Sequence, residues 1–285
     1  MATEPGAPGP SLSAAAPSGV DGVEARPGVP KPDPVLVVDG LRKTFDGITA
    51  VDVDHLEIPR GLITALIGPN GAGKTTLFNL LTGFEQPDAG TWSFDGRRLD
   101  GHAAHQIARL GMVRTFQLTK ALRKMSVMDN MKLGAIGQRG ENFFAALLPF
   151  LWSAQEQVIA DRALALLERF NLHHMQDQYG GSLSGGQRKL LEMARALMAE
   201  PALVMLDEPM AGVNPALVES LLDHVRGLRA QGMSVVFVEH NMDVVMGISD
   251  WIVCLAGGRV IAEGTPESIA DNEAVIDAYL GTRES

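Results

Sequence analysis

The chain holds a single cysteine, Cys254, among its 285 residues. No internal disulfide can form, and a reducing compartment is the natural home for such a chain. It also lacks any apolar run near the roughly 20 residues that a helix needs to cross a bilayer. The longest candidate, Phe143 to Trp152, is interrupted by Pro149, so no membrane span is expected. Positive charge is short as well: 24 Lys and Arg stand against 34 Asp and Glu, a formal net charge of -10. That balance argues against a nucleic-acid-binding surface as the main business, although totals leave room for a local basic patch. Residues 1 to 34 carry acidic residues and eight of the sixteen prolines but no apolar h-region, which argues against a secretory signal. Their Pro/Gly/Ala-rich composition predicts a disordered tail with little apolar surface to bury, and order is expected to begin at Val35.

With 46% hydrophobic residues there is ample material for a core, in one large domain or two small ones. Short, partly alternating strand signals run through Val35–Val38, Val51, Val53, Leu56 and Ile58, predicting a small β-subdomain. From about 118 to 200 the pattern turns helical, with Val158, Ile159, Ala163, Leu166, Leu167 and Phe170 roughly three and four apart. After Pro201 strands and helices alternate: Leu203 to Leu206, a helix from Pro215 to about Ala230, Ser234 to Val238, a short helix near Asp243, and Ile252 to Leu255. This predicts an α/β core with a mostly parallel sheet. A Gly257-Gly258 turn then leads into a terminal hairpin strand, followed by a helix from Pro266.

The most informative segment is Gly68-Pro69-Asn70-Gly71-Ala72-Gly73-Lys74-Thr75. Gly, four residues, Gly, Lys, Thr is the phosphate-binding loop pattern, in which glycines let successive backbone N–H groups converge on phosphate oxygens. Its setting is the required one. An apolar strand, Leu62 to Ile67, precedes it, and Lys74 opens a run with Leu77, Phe78, Leu80 and Leu81 on one side before Gly83 stops it. The helix start then faces phosphate with its positive end, Lys74 can reach the β/γ-phosphates, and the Thr75 hydroxyl can ligate Mg²⁺. A second apolar strand, Leu203 to Leu206, ends in Asp207 and Glu208. Side chains alternate at a strand end, so Asp207 can be held toward Mg²⁺ while Glu208 aims at a water for attack on the γ-phosphate. Leu183-Ser184-Gly185-Gly186-Gln187 reads as a capping box ahead of a helix from Lys189 to Met198. Two glycines at the first helical positions each cost about 1 kcal/mol against Ala, which points to a backbone close to a ligand and a second anion site.

These three segments, in this order and spacing, resemble the ATP-binding cassette ATPases over essentially all of residues 35 to 285. The resemblance implies a P-loop NTPase core with an N-terminal antiparallel β-subdomain and a helical insertion. It implies that two cassettes, in a homo- or heterodimer, sandwich two ATPs, each held by the phosphate loop of one subunit, Thr76 included, and the Leu183–Gln187 segment of the other. Gln117, in Val113-Arg114-Thr115-Phe116-Gln117, matches the glutamine that contacts Mg²⁺ and the attacking water. His240 matches the switch histidine at the γ-phosphate, and Phe45 the aromatic that stacks on adenine. Val213-Asn214 departs from the Leu-Asp pair most cassettes carry, putting carboxylate contacts across the dimer in doubt; Asn214-Pro215 suits helix initiation.

That departure, with Glu239-His240-Asn241-Met242 and the ending from Ala262 to Gly281, is similar to the LivG-type ATPase subunits of branched-chain amino acid importers. Urea and amide importers share much of this spelling, and lipopolysaccharide exporters less. The resemblance implies a peripheral ATPase at the cytoplasmic face of the cell membrane, with two permease subunits and an external solute-binding protein as partners and no nucleic acid. A soluble, non-transport cassette protein would usually carry two cassettes or a long coiled-coil insertion, and an inactive regulator would lack Glu208 or His240. For the apolar stretch from Asn142 to Trp152 two readings stay open: packing beneath the helical subdomain, or docking beside a permease at the membrane surface.

Overall fold

A computed structural model describes residues 19–115, 121–136 and 153–280. Gln117 and the apolar stretch 142–152 lie outside the described residues.

Two sheets organise the chain. β1 (Pro34–Phe45) and β2 (Ile48–Pro59) form an antiparallel hairpin through Asp46-Gly47, both at positive φ, the two-residue turn whose twist suits such a hairpin. They are longer than the short strands expected from the sequence. β4 (Ala89–Phe94) and β5 (Arg97–Arg98) extend the sheet in the order β2-β1-β4-β5. β3 (Ile63–Ile67), β6 (Met112–Arg114), β7 (Leu203–Asp207), β8 (Ser234–Val238), β9 (Trp251–Ala256) and β10 (Arg259–Gly264) make the second sheet, in the order β10-β9-β3-β8-β7-β6. It is parallel except for β10, which returns antiparallel from the Gly257-Gly258 turn. The mostly parallel α/β core and the terminal hairpin agree with the sequence reading.

Residues on β3 point alternately to two cores, as a strand buried on both faces requires. Ile63, Ala65 and Ile67 join the core formed with the helical layer. That layer comprises α3 (Val127–Lys132), α4 (Ser153–Arg169), α5 (Gly185–Leu197), α6 (Pro215–Ala230) and α7 (Met242–Ile248). Leu66 faces the other way, with Leu77, Phe78, Leu80 and Leu81 of α1 (Lys74–Leu81) and the inner face of the antiparallel sheet. The helix that carries Lys74 is thereby wedged between the two sheets. A short α2 (Ala104–Arg109) follows β5, and α8 (Pro266–Ala270) and α9 (Glu273–Leu280) complete the chain.

The expectation that order begins at Val35 needs correction. Residues 19–33 pack on the domain, with Val20 and Val29 buried. Lys31 is buried as well: its ammonium donates to Glu263 and to the Val29 carbonyl and lies 5.1 Å above the Trp251 ring. Glu263 also accepts the Val29 N–H at 3.1 Å and the Trp251 indole N–H at 3.0 Å, and Glu57 accepts the Lys31 N–H. Composition missed this because a few spaced anchors, one of them a charge with its partner waiting on β10, suffice to order a Pro-rich segment that has less chain entropy to lose.

Candidate functional site

The phosphate loop runs from β3 into α1, and its backbone is one that only glycine supplies. Gly71 and Gly73 sit at φ +77° and +98°. A Cβ on Gly68 would lie 2.1 Å from the Leu255 carbonyl oxygen, and one on Gly73 would lie 2.3 Å from that of Ala50. The loop is also laced to the end of the sheet: the Gly258 N–H donates to the Ala72 carbonyl at 3.0 Å, and the Asp52 N–H to the Gly258 carbonyl at 2.8 Å. Pro69 and Asn70 shape its outer turn, where the Ala72 N–H returns to the Pro69 carbonyl at 3.2 Å. Lys74 donates to the carbonyls of Gly68 and Pro69 at 2.6 and 2.9 Å. Burial holds its ammonium below the ordinary lysine range, and the charge of Glu208 works against that. Burial pushes the Cys254 thiol up to about 11, with the charge of the same lysine working against that. Thr75 is exposed at the start of α1 and Thr76 half-buried behind it. A glycine turn at a helix start, with a lysine folded back onto its carbonyls, fits a polyphosphate.

The two acids at the end of β7 diverge as strand alternation requires. Asp207 turns toward α1: its Oδ2 accepts from Arg114 on β6 at 2.6 Å, and Arg114 donates through its other amino group to Asn79 at 2.6 Å. Glu208 turns the other way, its Oε1 2.9 Å from His240 Nε2. Its backbone is held at φ +46°, with its N–H donating to the Val238 carbonyl at 3.1 Å. An imidazole aimed at a carboxylate at a strand end is an arrangement that can orient a water and hold its proton. Glu208 and His240 stand at the mouth of an open groove floored by Met210, Val218, Leu222 and Val244.

Sequence reasoning missed Glu239. This buried carboxylate accepts the Met210 N–H at 2.8 Å through one oxygen and the His240 N–H at 3.2 Å through the other, tying the loop after Glu208 to the end of β8. Burial raises it above the usual carboxylate range. It also missed Arg114, and Lys189, whose ammonium reaches the Glu208 carbonyl at 3.4 Å. An acid next to a candidate histidine was the available signal for Glu239; nothing local marked Lys189.

Ser184 caps α5 as expected, accepting from the Gln187 N–H at 3.3 Å while Gln187 Oε1 accepts the Ser184 N–H at 2.9 Å. The helix starts at Gly185 rather than Lys189 because the capping box draws both glycines into its first turn. For Gly186 there is a packing reason beyond any ligand: a Cβ there would lie 2.5 Å from the end of the Leu217 side chain. Leu183 is buried and its carbonyl accepts from Arg188 at 2.6 Å. Phe45, at the end of β1, keeps an exposed ring with the Lys43 ammonium 5.2 Å from its centre. α6 begins at Pro215 directly after Asn214, as that pair predicts. Among the described residues, His, Cys, Asp and Glu form no group of three or more that could hold a metal, so any bound cation would draw on hydroxyls and phosphate as well. The Thr75 hydroxyl and the oxygen of Asp207 not engaged by Arg114 fit a hard cation such as Mg²⁺.

Comparison with known proteins agrees with this geometry. Residues 51–211 match the ABC transporter family, and residues 259–285 match the branched-chain amino acid ATP-binding cassette transporter family. The chain is 41% identical over 251 residues to the probable branched-chain amino acid transport ATP-binding protein LivG of Archaeoglobus fulgidus, covering 88% of this chain and 97% of that one. It is 42% identical to the high-affinity LivG protein of Escherichia coli K12, covering 87% and 98%. Among solved structures, a nucleotide-free ATP-binding cassette from an ABC transporter superposes with a TM-score of 0.76 at 34% identity, covering 86% of this chain and 98% of that one. A cassette in its ADP conformation gives 0.75 at 33%, covering 87% and 99%. With the phosphate cradle, the capped Ser184–Gln187 helix start and the Glu208–His240 pair in one fold, the chain belongs to the ATP-binding cassette ATPases of ABC transporters.

Proposed function

We propose that this chain is the ATP-hydrolysing subunit of a binding-protein-dependent importer of branched-chain amino acids, seated at the cytoplasmic face of the membrane. The observation that carries the ATPase part is the Glu208–His240 pair at 2.9 Å, at the end of a strand two places along the sheet from the one that feeds the phosphate loop. The names of the relatives and the family matched by residues 259–285 support the substrate class. The solute itself would be read by a permease and an external binding protein.

In this reading the amides of residues 71–75 and Lys74 bind the β- and γ-phosphates, and Phe45 offers its exposed ring to the adenine. Thr75, Asp207 and Gln117 hold Mg²⁺, which supplies charge neutralisation at the phosphates. Glu208 takes the proton of the attacking water, and His240 holds the Glu208 carboxylate in place and faces the γ-phosphate. Ser184 and the Gly185-Gly186 amides close on the ATP of a second cassette, so a lone copy works only as half of a dimer. Among the described residues no helix is long and apolar enough to cross a membrane, which suits a subunit that borrows its pore from permease partners.

The test is reconstitution. The subunit is purified with its co-purifying membrane partners, placed in liposomes, and assayed for ATP-driven uptake of labelled leucine, isoleucine and valine, with urea and acetamide as competing solutes. Uptake of the branched-chain amino acids that stops with Glu208→Gln is expected. ATP-dependent uptake of urea or amides instead, or association with a lipopolysaccharide exporter, would replace the substrate assignment while leaving the ATPase standing.

A further inference from the structure

The first glycine of the phosphate loop is held through both of its backbone polar groups. The Gly68 N–H donates to the Tyr279 hydroxyl at 2.9 Å, and the Gly68 carbonyl accepts from Lys74 at 2.6 Å. Tyr279 stands in the last turn of α9, 211 residues along the chain, and is one of only two tyrosines, so no neighbouring phenol could replace it. Gly68 cannot move aside to find another acceptor, because it is buried against the Leu255 carbonyl. Tyr279 is half-buried in turn, and α9 is seated through Val275, which is 5% exposed. A buried amide that loses its acceptor pays its full desolvation penalty, so this single hydroxyl has leverage on the loop.

We infer that Tyr279 is a positioning residue for nucleotide binding. Its hydroxyl anchors the Ile67–Gly68 peptide through the Gly68 N–H, the pivot from which the next two peptides carry the carbonyls on which Lys74 rests, so the C-terminal helix holds the phosphate loop in its receiving shape. When a polyphosphate enters, Lys74 exchanges the Gly68 and Pro69 carbonyls for phosphate oxygens, and the Tyr279 bond then keeps the Gly68 N–H end of the released loop in place. The segment from residue 259 onward, which marks this branch of the family, thereby contributes to nucleotide affinity as well as to packing.

The inference rests on nucleotide occupying this loop, and the experiment separates the two. Mg·ADP binding to the full-length subunit is measured by calorimetry for the parent and for Tyr279→Phe, Val275→Ala and Lys74→Ala, alongside thermal melts and the KM and kcat for ATP. Tyr279→Phe keeps the ring and removes the acceptor; it should raise the Kd for Mg·ADP about tenfold, or about 1.4 kcal/mol, and raise KM for ATP by more than it lowers kcat. Val275→Ala removes two buried methyls from the same helix and leaves the Tyr279 hydroxyl in place; it should lower the melting temperature by a few degrees with the Kd within twofold of the parent. A Tyr279→Phe Kd within twofold of the parent overturns the inference, and so does an equal loss of affinity in Val275→Ala. A parent that binds Mg·ADP no better than Lys74→Ala overturns the nucleotide reading of the loop, and the inference with it.

Discussion

Replacing Lys31 by methionine should destabilise the protein substantially, although residue 31 touches no part of the candidate site. Lys31 and Glu263 are both fully shielded from solvent in their side chains. Removing one partner of a buried ion pair typically costs about 3–5 kcal/mol, because the other charge is left uncompensated. Here Glu263 keeps two donors, the Val29 N–H and the Trp251 indole, each a hydrogen bond to a charged group worth about 1.5–3 kcal/mol. The loss should therefore fall toward the lower end, about 2–4 kcal/mol. In a domain of this size 1 kcal/mol moves Tm by about 2–4 °C, so Lys31→Met should lower it by about 4–16 °C. The double variant Lys31→Met/Glu263→Gln removes both charges and should recover at least half of that loss, giving a coupling above about 1 kcal/mol in a double-mutant cycle. Scanning calorimetry with urea titration at neutral pH is the assay. A Lys31→Met Tm within 1 °C of the parent would refute the argument, since it would mean that residues 19–33 leave and take their cation with them at no cost. Deleting residues 2–33 should mimic Lys31→Met, contrary to what the composition of that segment implies.

Glu208→Gln should retain ATP binding while slowing hydrolysis by about 10²–10⁴-fold; turnover within threefold of the parent in a phosphate-release assay would show that Glu208 is not the base. Gly68→Ala drives a methyl into the Leu255 carbonyl, 2.1 Å from where its Cβ would sit, and should abolish nucleotide binding by calorimetry; affinity close to the parent would mean that the loop yields freely there. Glu239, raised by burial above its unfolded value near 4.5, keeps its proton to a higher pH in the folded state than in the unfolded one. It therefore gives stability that is full below pH 4.5 and lost as pH rises through its folded value. Glu239→Gln should flatten that decline in urea midpoints followed upward from pH 4.5, with the residual slope coming from Glu192 and Asp250, which burial shifts the same way; an unchanged slope would sink the assignment.

The parts of the site that were legible in the sequence are those whose geometry is fixed by near neighbours. Gly68 to Thr75 declares itself because a strand, a glycine turn and a helix start are contiguous. Ser184 and Gln187 form a cap three residues apart, and Asp207 and Glu208 part company because alternation along one strand forces them to. Illegible were the partners supplied by distant segments: Arg114 for Asp207, Glu239 for Met210, Tyr279 for Gly68 and Glu263 for Lys31, separated by 93, 29, 211 and 232 residues. No periodicity or local propensity records such pairings, since each is decided by sheet order. The same limit explains the segment before Val35, where proline and glycine content says what the chain does alone and nothing about a cation pocket between β2 and β10.

The backbone of Glu208 sits in the left-handed region at φ +46°, where a residue with a Cβ pays about 1–2 kcal/mol that glycine does not. A lineage released from the need to turn over ATP would gain stability by drifting to glycine or asparagine at position 208, and a thermostability screen blind to hydrolysis would enrich inert proteins at that codon. With Glu208 as the proposed base, that strain is a standing cost set against chemistry, which makes residue 208 the place to look first when deciding whether a degenerate copy of such a chain still works.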